Sequence, residues 1–292
     1  MRVGILASDR GEWYVRQLLA ELKRRGVEAY VFPATRFLSR IGAEPRVSVR
    51  GWSIGDLDAV IVRRVPGGTP EQVFYRMDAL HRLEDLGVHV INPAGSIERA
   101  VDKYYTSALL EDAGIRTPRT AVTERFDEAI EAFGELGGDV VVKPLFGSLG
   151  AGMVRVSDRD IAYRVFRALE MTRSVFYLQE FIPHGNRDIR AFVVGVRVVA
   201  SMLRVAEGWK TNISGGATAE PYSLGEELAD LSVRASETLG LEYAGVDLLR
   251  SERDGSVYVV ELNSTPGWRG LQTVTEENIA AIIVDHLISR LS

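Results

Sequence analysis

The amino-acid sequence predicts a mixed fold that is α/β in its first third and α+β in the remainder. Three observations support this prediction. Apolar strand-like runs alternate with amphipathic helices over residues 1–95, which is the pattern of βαβ units and a parallel sheet. Residues 96–182 follow a β-α-β-β-α-β order, which is compatible with a small lid. Residues 183–292 are mainly long strand-like segments, which is typical of an antiparallel sheet with helices on one face.

The N-terminal segment begins with the strand RVGILAS and the helix WYVRQLLAELKRRG, which ends at Gly26. The strands VEAYVFP, DAVIVRRV and VHVINP and the helix PEQVFYRMDALHRLEDLG complete the alternation. No G-x-G-x-x-G sequence follows the first strand, so dinucleotide binding has no support there. We therefore predict that residues 1–95 form a scaffold or substrate-binding domain.

The middle segment is predicted to begin with one helix, SIERAVDKYYTSALLEDAG, which has Ser96 as its N-cap and ends at Gly114. The strand RTPRTAVT, the helix DEAIEAFGELG, the stretch VVKPLFGSLGAGMVRV, the helix DRDIAYRVFRALEMT and the strand VFYLQEFI follow in that order. The C-terminal segment then contributes the strands DIRAFVVG, VRVVASMLRVA, AGVDLLRSE and SVYVVELNS and the helices EELADLSVRASETLG and EENIAAIIVDHLIS.

A glycine-rich loop follows a lysine in the stretch VVKPLFGSLGAGMVRV. Lys143 ends an apolar run, and Gly147, Gly150 and Gly152 allow the backbone to approach a ligand closely and to adopt positive φ. A lysine that is followed by a glycine-rich, mobile backbone is typical of a phosphate-binding loop. A glycine hairpin that carries an unrelated lysine is the alternative.

Composition narrows the possible chemistry. The chain is 46% hydrophobic and 26% charged, and its net charge of −5 argues against a nucleic-acid binder. The absence of cysteine excludes disulfides, thiolate metal sites and cysteine nucleophiles and fits a reducing cytoplasm. No apolar stretch reaches membrane-spanning length, so we expect a cytoplasmic protein with no membrane partner. The four histidines lack metal-ligand spacing, and neither G-x-S-x-G nor a P-loop sequence occurs.

Lysine is rare in this chain. Only four of the 35 basic side chains are lysines, and Lys23 lies on a predicted solvated helix face. A compact ammonium beside a polyphosphate is a role in which arginine is not equivalent. Lys103, Lys143 and Lys210 are therefore candidate phosphate ligands.

Two carboxylates near the C-terminus are predicted to face each other. The sequence GVDLLRSERDGSVYVVELNS places two strands around a turn at Asp254-Gly255, which is a hairpin signal. Pairing centred on this turn puts Asp247 opposite Glu261, with Asn263 on the same face. Like charges in this position repel, so a cation is expected between them, and the oxygen ligands suit Mg²⁺. A solvated outer face or a one-residue register shift are the alternatives.

Two further stretches bring polar groups together. HGNRDIRAF places Asp188 and Arg190 on the same side of a strand, and WKTNISGGA joins Lys210 and Asn212 to a glycine pair. Arg190 is a candidate bidentate clamp for a carboxylate or an oxyanion, although surface Asp-x-Arg pairs are also common.

Taken in order, these motifs resemble the ATP-grasp ligases, and in particular the RimK-like branch, which joins amino acids, often glutamate, to a carboxylate. The resemblance covers nearly the whole chain and depends on the order of DKYYTSALLEDAGIRTP, VVVKPLFGSLGAGM, YLQEFI, RDIRAFVVG, KTN followed by GG, AGVDLL and ELNSTPGW. It implies an ATP-grasp fold with three parts. These are an N-terminal Rossmann-like pre-ATP-grasp domain (1–95), a small α+β lid (96–182) and a C-terminal antiparallel-sheet domain with a metal site (183–292).

The resemblance also implies roles for individual residues. Mg²⁺, with Mn²⁺ as an alternative, would be held by Asp247, Glu261 and Asn263. Lys143 and Arg190 would act in catalysis. The residues that would hold ATP are Lys103, Lys143, Gly147, Ser148, Gly150, Gly152, Glu180, Phe181, Asp188, Lys210, Thr211 and Asn212.

The implied reaction uses ATP to convert a carboxylate into an acyl phosphate, which the amine of an amino acid then attacks. The expected partners are ATP, an amino acid, in the first place L-glutamate, and a carboxylate acceptor such as a folate-like coenzyme (tetrahydromethanopterin). A LysX-like ligase on 2-aminoadipate, a RimK-like protein or peptide glutamate ligase and a non-catalytic ATP-binding regulator are the alternatives. A homo-oligomer is compatible with the resemblance.

Two positions depart from the family pattern and leave the acceptor open. Ser214 stands before Gly215-Gly216, where the related ligases commonly have a basic residue. Arg269-Gly270-Leu271 follows NSTPGW, where the members that modify ribosomal protein carry an acidic residue.

Overall fold

The computed structural model of the chain describes residues 1–147 and 150–291. Within them, a four-stranded parallel sheet is followed along the chain by a four-stranded and a five-stranded antiparallel sheet, and a small three-stranded sheet lies in the N-terminal part. The predicted mixture of α/β and α+β architecture is therefore confirmed. None of the helices in the described residues combines the length and apolarity that are needed to cross a membrane.

The N-terminal part contains the parallel sheet and a small antiparallel sheet that the sequence did not predict. Its elements are β1 (Arg2–Leu6), α1 (Trp13–Arg24), β2 (Glu28–Phe32), β3 (Phe37–Ser39), β4 (Val47–Val49), β5 (Trp52–Ser53), β6 (Ala59–Val62), α2 (Pro70–Asp85) and β7 (His89–Ile91). The parallel sheet has the order β2-β1-β6-β7, and β3, β4 and β5 form the small sheet. The small sheet escaped prediction because its strands have only two or three residues each.

Strands β1 and β6 are neighbours at the centre of the parallel sheet, with Leu6 paired to Val62. The chain leaves β1 towards β2 on one side and leaves β6 towards β7 on the other. Helices α1 and α2 cover opposite faces, because Leu18 packs with Ile5 on one face and Leu80 packs with Leu6 on the other. The carboxyl ends of β1 and β6 therefore form a topological switch point, where sheets of this kind bind ligands.

Residues 94–112 form two helices instead of the single predicted one. They are α3 (Ala94–Val101) and α4 (Lys103–Asp112). The break falls at Asp102, whose carboxylate accepts a hydrogen bond from the Tyr105 amide at 3.0 Å and caps α4. The prediction of Ser96 as an N-cap is wrong, since Ser96 lies inside α3 and donates to the Gly240 carbonyl at 2.7 Å. The break places Lys103 at the first position of a helix.

The middle sheet has the predicted β-α-β-β-α-β order. Its elements are β8 (Thr120–Thr123), α5 (Phe126–Glu135), β9 (Val140–Lys143), β10 (Val154–Val156), α6 (Arg159–Met171) and β11 (Phe176–Glu180). The strand order is β10-β9-β11-β8, and all pairs are antiparallel. Helices α5 and α6 cover one face through Phe133 and Phe166. The glycine-rich loop joins β9 to β10.

The C-terminal sheet has the order β14-β13-β12-β15-β16. Its strands and helices are β12 (Arg187–Val194), β13 (Arg197–Val205), β14 (Thr218–Pro221), α7 (Glu226–Leu239), β15 (Tyr243–Arg250), β16 (Val257–Asn263) and α8 (Ile279–Leu291). One face packs against α7 through Val246 and Leu239. On the other face, Phe192 and Tyr243 join α1 and α8 in a shared core. The charged residues Asp188, Arg190, Arg204 and Asp247 lie further along this second face, because they continue its alternation.

Candidate active site

The hairpin of β15 and β16 places Asp247 opposite Glu261 and Gly245 opposite Asn263, as the sequence predicts. The pairing near the turn is different from the predicted one, because Leu248 pairs with Val259 and the register shifts by one residue between Asp247 and Leu248. An irregularity at this point inserts one extra residue into β16. The opposition of the two carboxylates therefore depends on a bulge that the prediction did not include.

A cleft that is open to solvent lies between the middle sheet and the C-terminal sheet, and its cavity volume is about 90 Å³. Nine of the predicted site residues line it, namely Lys143, Glu180, Phe181, Asp188, Lys210, Thr211, Asn212, Asp247 and Glu261. The structure thus brings together residues from four separate segments of the sequence.

Asp247 is the most enclosed carboxylate of the site, with 3% of its surface exposed. Its Oδ2 accepts from Arg190 Nη2 at 2.8 Å and lies 2.9 Å from Arg204 Nη2, and its Oδ1 accepts from Arg190 Nε. Burial opposes ionisation, but the charges of the two arginines outweigh it and hold the pKa of Asp247 below its ordinary value. Arg204 also donates from Nε to Asp188 Oδ1 at 2.6 Å. Two buried arginines thus hold two buried aspartates.

Glu261 has no such partner. In the described parts of the chain its carboxylate makes no hydrogen bond and no ion pair. Loss of solvent and the adjacent charge of Asp247 raise the pKa of Glu261, although Arg190 and Lys143 oppose this. Asn263 is also unsatisfied, since its Nδ2 is buried without a hydrogen-bond partner. Two neighbouring polar groups on β16 are therefore available to a ligand.

Lys143 faces this pair from the end of β9. Its Nζ donates to Gln179 Oε1 at 2.6 Å on the neighbouring strand β11. Burial lowers the pKa of Lys143 to about 8, and the attraction of Glu261 only partly compensates. Lys143 is therefore a half-buried ammonium whose main hydrogen bond is to a neutral group, which suits an anionic ligand.

Lys103 binds the glycine-rich loop at the edge of the cleft, and Asn212 lies against it. Lys103 Nζ donates to the carbonyls of Gly147 at 2.9 Å and Leu145 at 3.3 Å. Gly150 has φ +70°, and a Cβ atom at this position would lie 2.6 Å from Asn212 Oδ1. Gly147 and Gly152 also have positive φ. Ser148, the remaining predicted residue of this loop, lies outside the described residues.

The far end of the cleft is apolar and aromatic. The guanidinium carbon of Arg155 lies 3.5 Å from the centroid of the Phe181 ring. The Phe181 ring also contacts Trp209 edge-on, with 6.3 Å between the ring centroids. Glu180 accepts from Arg119 Nε at 2.8 Å. The apolar side chains that complete this wall are Val141, Met153, Ile182 and Leu249. A planar base would fit between such side chains.

Ten of the residues that line the cleft were not predicted as site residues from the sequence. Arg204 is the most important, since it pairs with both buried aspartates. Gln179, Met153 and Trp209 also line the cleft. Arg204 could have been found from its position opposite Asp188 in the hairpin of β12 and β13. A second register shift, between Phe192 and Val193, hides this pairing in the sequence.

Six predicted residues lie outside the lining of the cleft, namely Lys103, Gly147, Gly150, Gly152, Arg190 and Asn263. Arg190 contacts the lining residue Asp247, and Gly150 lies against the lining residue Asn212. Arg190, predicted as a clamp for substrate, donates to Asp247 in this structure.

Comparison with protein families decides the assignment. A model of the RimK-like ATP-grasp domain matches residues 100–287, and a model of the RimK PreATP-grasp domain matches residues 1–97. The chain belongs to the RimK-like ATP-grasp family. Membership in this family confirms the resemblance, the predicted ATP-grasp fold and the predicted enzyme class, an ATP-dependent ligase.

Curated relatives and solved structures match this chain along its full length. A tetrahydromethanopterin:alpha-L-glutamate ligase of Methanococcus maripaludis is 36% identical over 294 residues, which cover 99% of this chain and 98% of that protein. A probable alpha-L-glutamate ligase of Aliivibrio fischeri is 35% identical over 98% of this chain and 95% of that protein. The ATP-grasp ligase PsnB, solved with a minimal precursor, Mg and ADP, has a TM-score of 0.76 and 24% identity over 99% of this chain and 98% of PsnB, which supports the fold.

Proposed function

We propose that this RimK-like protein is an ADP-forming ligase that joins L-glutamate to a carboxylate acceptor. The observation that supports it best is the facing pair of Asp247 and Glu261, with Lys143 on the opposite wall of the same cleft. Two full-length relatives above 30% identity are named as glutamate ligases, which supports glutamate as the amino acid.

The proposed reaction has two steps. In the first, an oxygen of the acceptor carboxylate attacks the γ-phosphorus of ATP, the bond to the β-phosphate oxygen breaks, and ADP and an acyl phosphate form. In the second, the α-amine of glutamate attacks the acyl carbon, an amide bond forms, and inorganic phosphate leaves as the amine loses a proton. The chain contributes mainly positive charge and position to both steps.

The residues present fit a magnesium ion. Glu261 offers a carboxylate without a partner, and Asn263 is a neutral neighbour on the same face. Asp247 shares its oxygens with two arginines but retains lone-pair capacity, because a carboxylate offers about four acceptor sites. When bound, Mg²⁺ supplies positive charge to the nucleotide phosphates and orients them. We propose Mg²⁺ as the metal, with Mn²⁺ as a substitute.

The cations of the site have separate tasks in this proposal. Lys143 binds a nucleotide phosphate through an ammonium that is already desolvated. Lys103 holds the carbonyls of the glycine-rich loop and so keeps the loop near the phosphates. Arg190 maintains Asp247 in its ionised form and in a fixed position. Lys210, which is exposed beside Trp209, is placed to contact the nucleotide from the C-terminal sheet.

Closure of the glycine-rich loop protects the acyl phosphate from water in this proposal. The loop adjoins the cleft through Gly150 and Asn212, and a closed loop excludes solvent while the amine attacks. We further propose that residues 1–95, 96–182 and 183–292 act as scaffold, lid and metal-binding domain, and that the protein acts in the cytoplasm.

For the acceptor we propose a folate-like coenzyme such as tetrahydromethanopterin, which the name of the Methanococcus relative supports. 2-Aminoadipate, as in a LysX-like ligase, and a protein or peptide, as in a RimK-like glutamate ligase, are the alternatives, because Ser214 and Arg269 depart from the family pattern. An ATP-binding regulator is the non-enzymatic alternative. The presence of Lys143, Asp247, Glu261 and Asn263 argues against it.

A screen of acceptors tests this function. The protein is incubated with ATP, Mg²⁺, labelled glutamate and each acceptor, and ADP release and the mass gain of the acceptor are measured. We expect ADP release and a gain of one or more glutamyl residues with one acceptor class, and neither with Lys143→Met. Nucleotide binding without ADP release for every acceptor class would support the regulator instead.

A further inference from the structure

Buried N–H groups without partners concentrate beside the segment that follows β16. In the described part of the chain, four buried side-chain atoms have no hydrogen-bond partner: Arg63 Nε, His89 Nε2, Asn263 Nδ2 and Trp268 Nε1. His89 Nε2 nevertheless lies 2.9 Å from a carboxylate oxygen of Glu242. The other three are nitrogens of Arg63, Asn263 and Trp268. Because they are donors, the group that would satisfy them is an acceptor.

Arg63 is a buried cation without a carboxylate. Only 6% of its surface is exposed, and its Nη2 donates to the Pro266 carbonyl at 2.9 Å and its Nη1 to Tyr243 Oη at 3.4 Å. The guanidinium carbon lies 4.7 Å from the Trp268 ring centroid and 5.2 Å from that of Tyr14. No ion pair to Arg63 occurs in residues 1–147 or 150–291. A buried charge normally has a counter-ion, so an anion is expected here.

The position of Arg63 is also that of a ligand site. It directly follows β6, and its backbone amide donates to the Leu6 carbonyl at 3.0 Å, at the switch point between β1 and β6. Gly267 is exposed, and a Cβ atom there would lie 2.6 Å from Tyr14 Oη.

Arg63 is connected to the proposed reaction centre through Pro266. A Cβ atom on Gly245 would lie 2.5 Å from Arg190 Nη1 and 3.0 Å from the Cβ of Pro266, so both side chains pack against this glycine. Arg190 in turn holds Asp247. The unpartnered donors therefore lie just beyond the metal-binding face, on the side of the N-terminal sheet.

We propose that Arg63 and Trp268 Nε1 bind a carboxylate of one of the two substrates. The inference depends on the proposed ligase function, in which both glutamate and the acceptor carry carboxylates. A guanidinium offers five N–H donors, and those not used by Pro266 and Tyr243 suit a planar anion. This contact orients the substrate relative to the acyl phosphate and takes no part in bond formation.

Binding of small carboxylates to the full chain tests the subsite without turnover. L-glutamate and glutarate, a dicarboxylate without an amine, are titrated into the protein with saturating ADP and Mg²⁺ in a calorimeter. We expect Arg63→Met to weaken binding of a probe roughly 10- to 100-fold, which is the contribution of hydrogen bonds to a charged group. Arg63→Lys should weaken it less. Arg64→Met, which alters the exposed neighbouring arginine, should have no effect.

The two probes distinguish the source of the carboxylate. Arg63-dependent binding of L-glutamate that greatly exceeds that of glutarate assigns the subsite to the incoming amino acid. Arg63-dependent binding of glutarate that equals or exceeds that of L-glutamate assigns it to the acceptor. No binding of either probe to the unaltered protein, or binding that Arg63→Met leaves unchanged, would overturn the proposal.

ADP affinity and the midpoint of thermal unfolding are measured for each variant to check that it folds. If Arg63→Met does not fold, Trp268→Phe keeps the ring but removes Nε1–H, and it should weaken the same probe several-fold. If Trp268→Phe and Arg63→Lys each bind the probe with the affinity of the unaltered protein, the proposed subsite is overturned. A failed acceptor screen with intact Arg63-dependent binding would contradict the ligase and leave the subsite standing.

Discussion

Asp247 and Glu261 lie opposite each other but differ in how the fold compensates their charge. Asp247 is held by Arg190 and Arg204, whereas Glu261 has no partner within the described residues. A carboxylate with buried arginine partners contributes to folding, and one without partners in a low-dielectric site is retained at a cost. We propose that Glu261 serves ligand binding alone, whereas Asp247 also stabilises the fold.

Matched amide substitutions test that separation. Asp247→Asn leaves the buried Arg190 without its carboxylate partner and leaves Arg204 with Asp188 alone, so it should lower the free energy of unfolding by about 3 kcal/mol or more. Glu261→Gln removes a like charge beside Asp247 and should leave the free energy of unfolding unchanged or slightly higher. Both are measured by denaturant unfolding without nucleotide. A larger loss in Glu261→Gln than in Asp247→Asn would contradict the assignment.

The lowered pKa of Lys143 leads us to expect that nucleotide binding depends on pH. Its pKa of about 8 lies below the ordinary value of 10.5, so the free protein carries the ammonium below about pH 8 and loses it above. Affinity for ADP should therefore fall above pH 8, by at most about tenfold per pH unit. Lys143→Arg, which stays charged, should bind ADP with little change between pH 7 and 9.5. Equal pH profiles of the two proteins would show that Lys143 does not provide this charge.

Among the elements, the loop between β9 and β10 depends most on its glycines. Gly150→Ala places a side chain at φ +70° and against Asn212, and the backbone conformation alone costs about 1–2 kcal/mol. We expect roughly tenfold weaker ATP binding and more ADP released without amide formation. Gly134→Ala in α5 is the control, since nothing lies within 4 Å of the added Cβ. Similar kinetics in both variants would exclude a role of the loop in closure.

The order of the elements could be predicted from the sequence, but some registers and boundaries could not. Strand and helix order follows from apolar periodicity, which is why the β-α-β-β-α-β order was found. The bulge beside Asp247 and the register shift beside Phe192 leave no periodic signal, so Arg204 was missed as the partner of Asp188. The helix break at Asp102 was missed because the apolar pattern continues across it.

The site residues show the same limit. Lys143, Asp247 and Glu261 were predicted because charges in apolar strands are conspicuous. Arg63 and Trp268 were not, because the sheet, the segment after β16 and α1 meet only in the folded chain. Their separation of about 200 residues carries no local pattern.

At the scale of the whole molecule, Glu242 joins distant parts of the chain. Its carboxylate lies 2.9 Å from His89 Nε2 at the start of β7 and 2.9 Å from His286 Nε2 in α8. Burial opposes its ionisation, but the two histidines lower the pKa of Glu242 to about 2. The contact therefore connects the N-terminal sheet to the C-terminal helix.

This contact predicts how stability responds to acid. The contribution of ionised Glu242 is complete above its ordinary pKa of 4.5 and is lost as the pH falls towards about 2. Glu242→Gln should lower the free energy of unfolding by about 1–3 kcal/mol near pH 6 and by much less near pH 2. Thermal unfolding across this range measures the difference. A difference that is independent of pH would exclude the charge of Glu242 as its cause.

The central claim is that the face of Asp247 and Glu261 holds a metal–nucleotide complex opposite Lys143. Calorimetric titration of ADP, with and without Mg²⁺, into the unaltered protein and Glu261→Gln tests it most directly. We predict that Mg²⁺ strengthens ADP binding to the unaltered protein by tenfold or more, about 1.4 kcal/mol, and that Glu261→Gln abolishes this gain. An equal Mg²⁺ effect in both proteins would contradict the account.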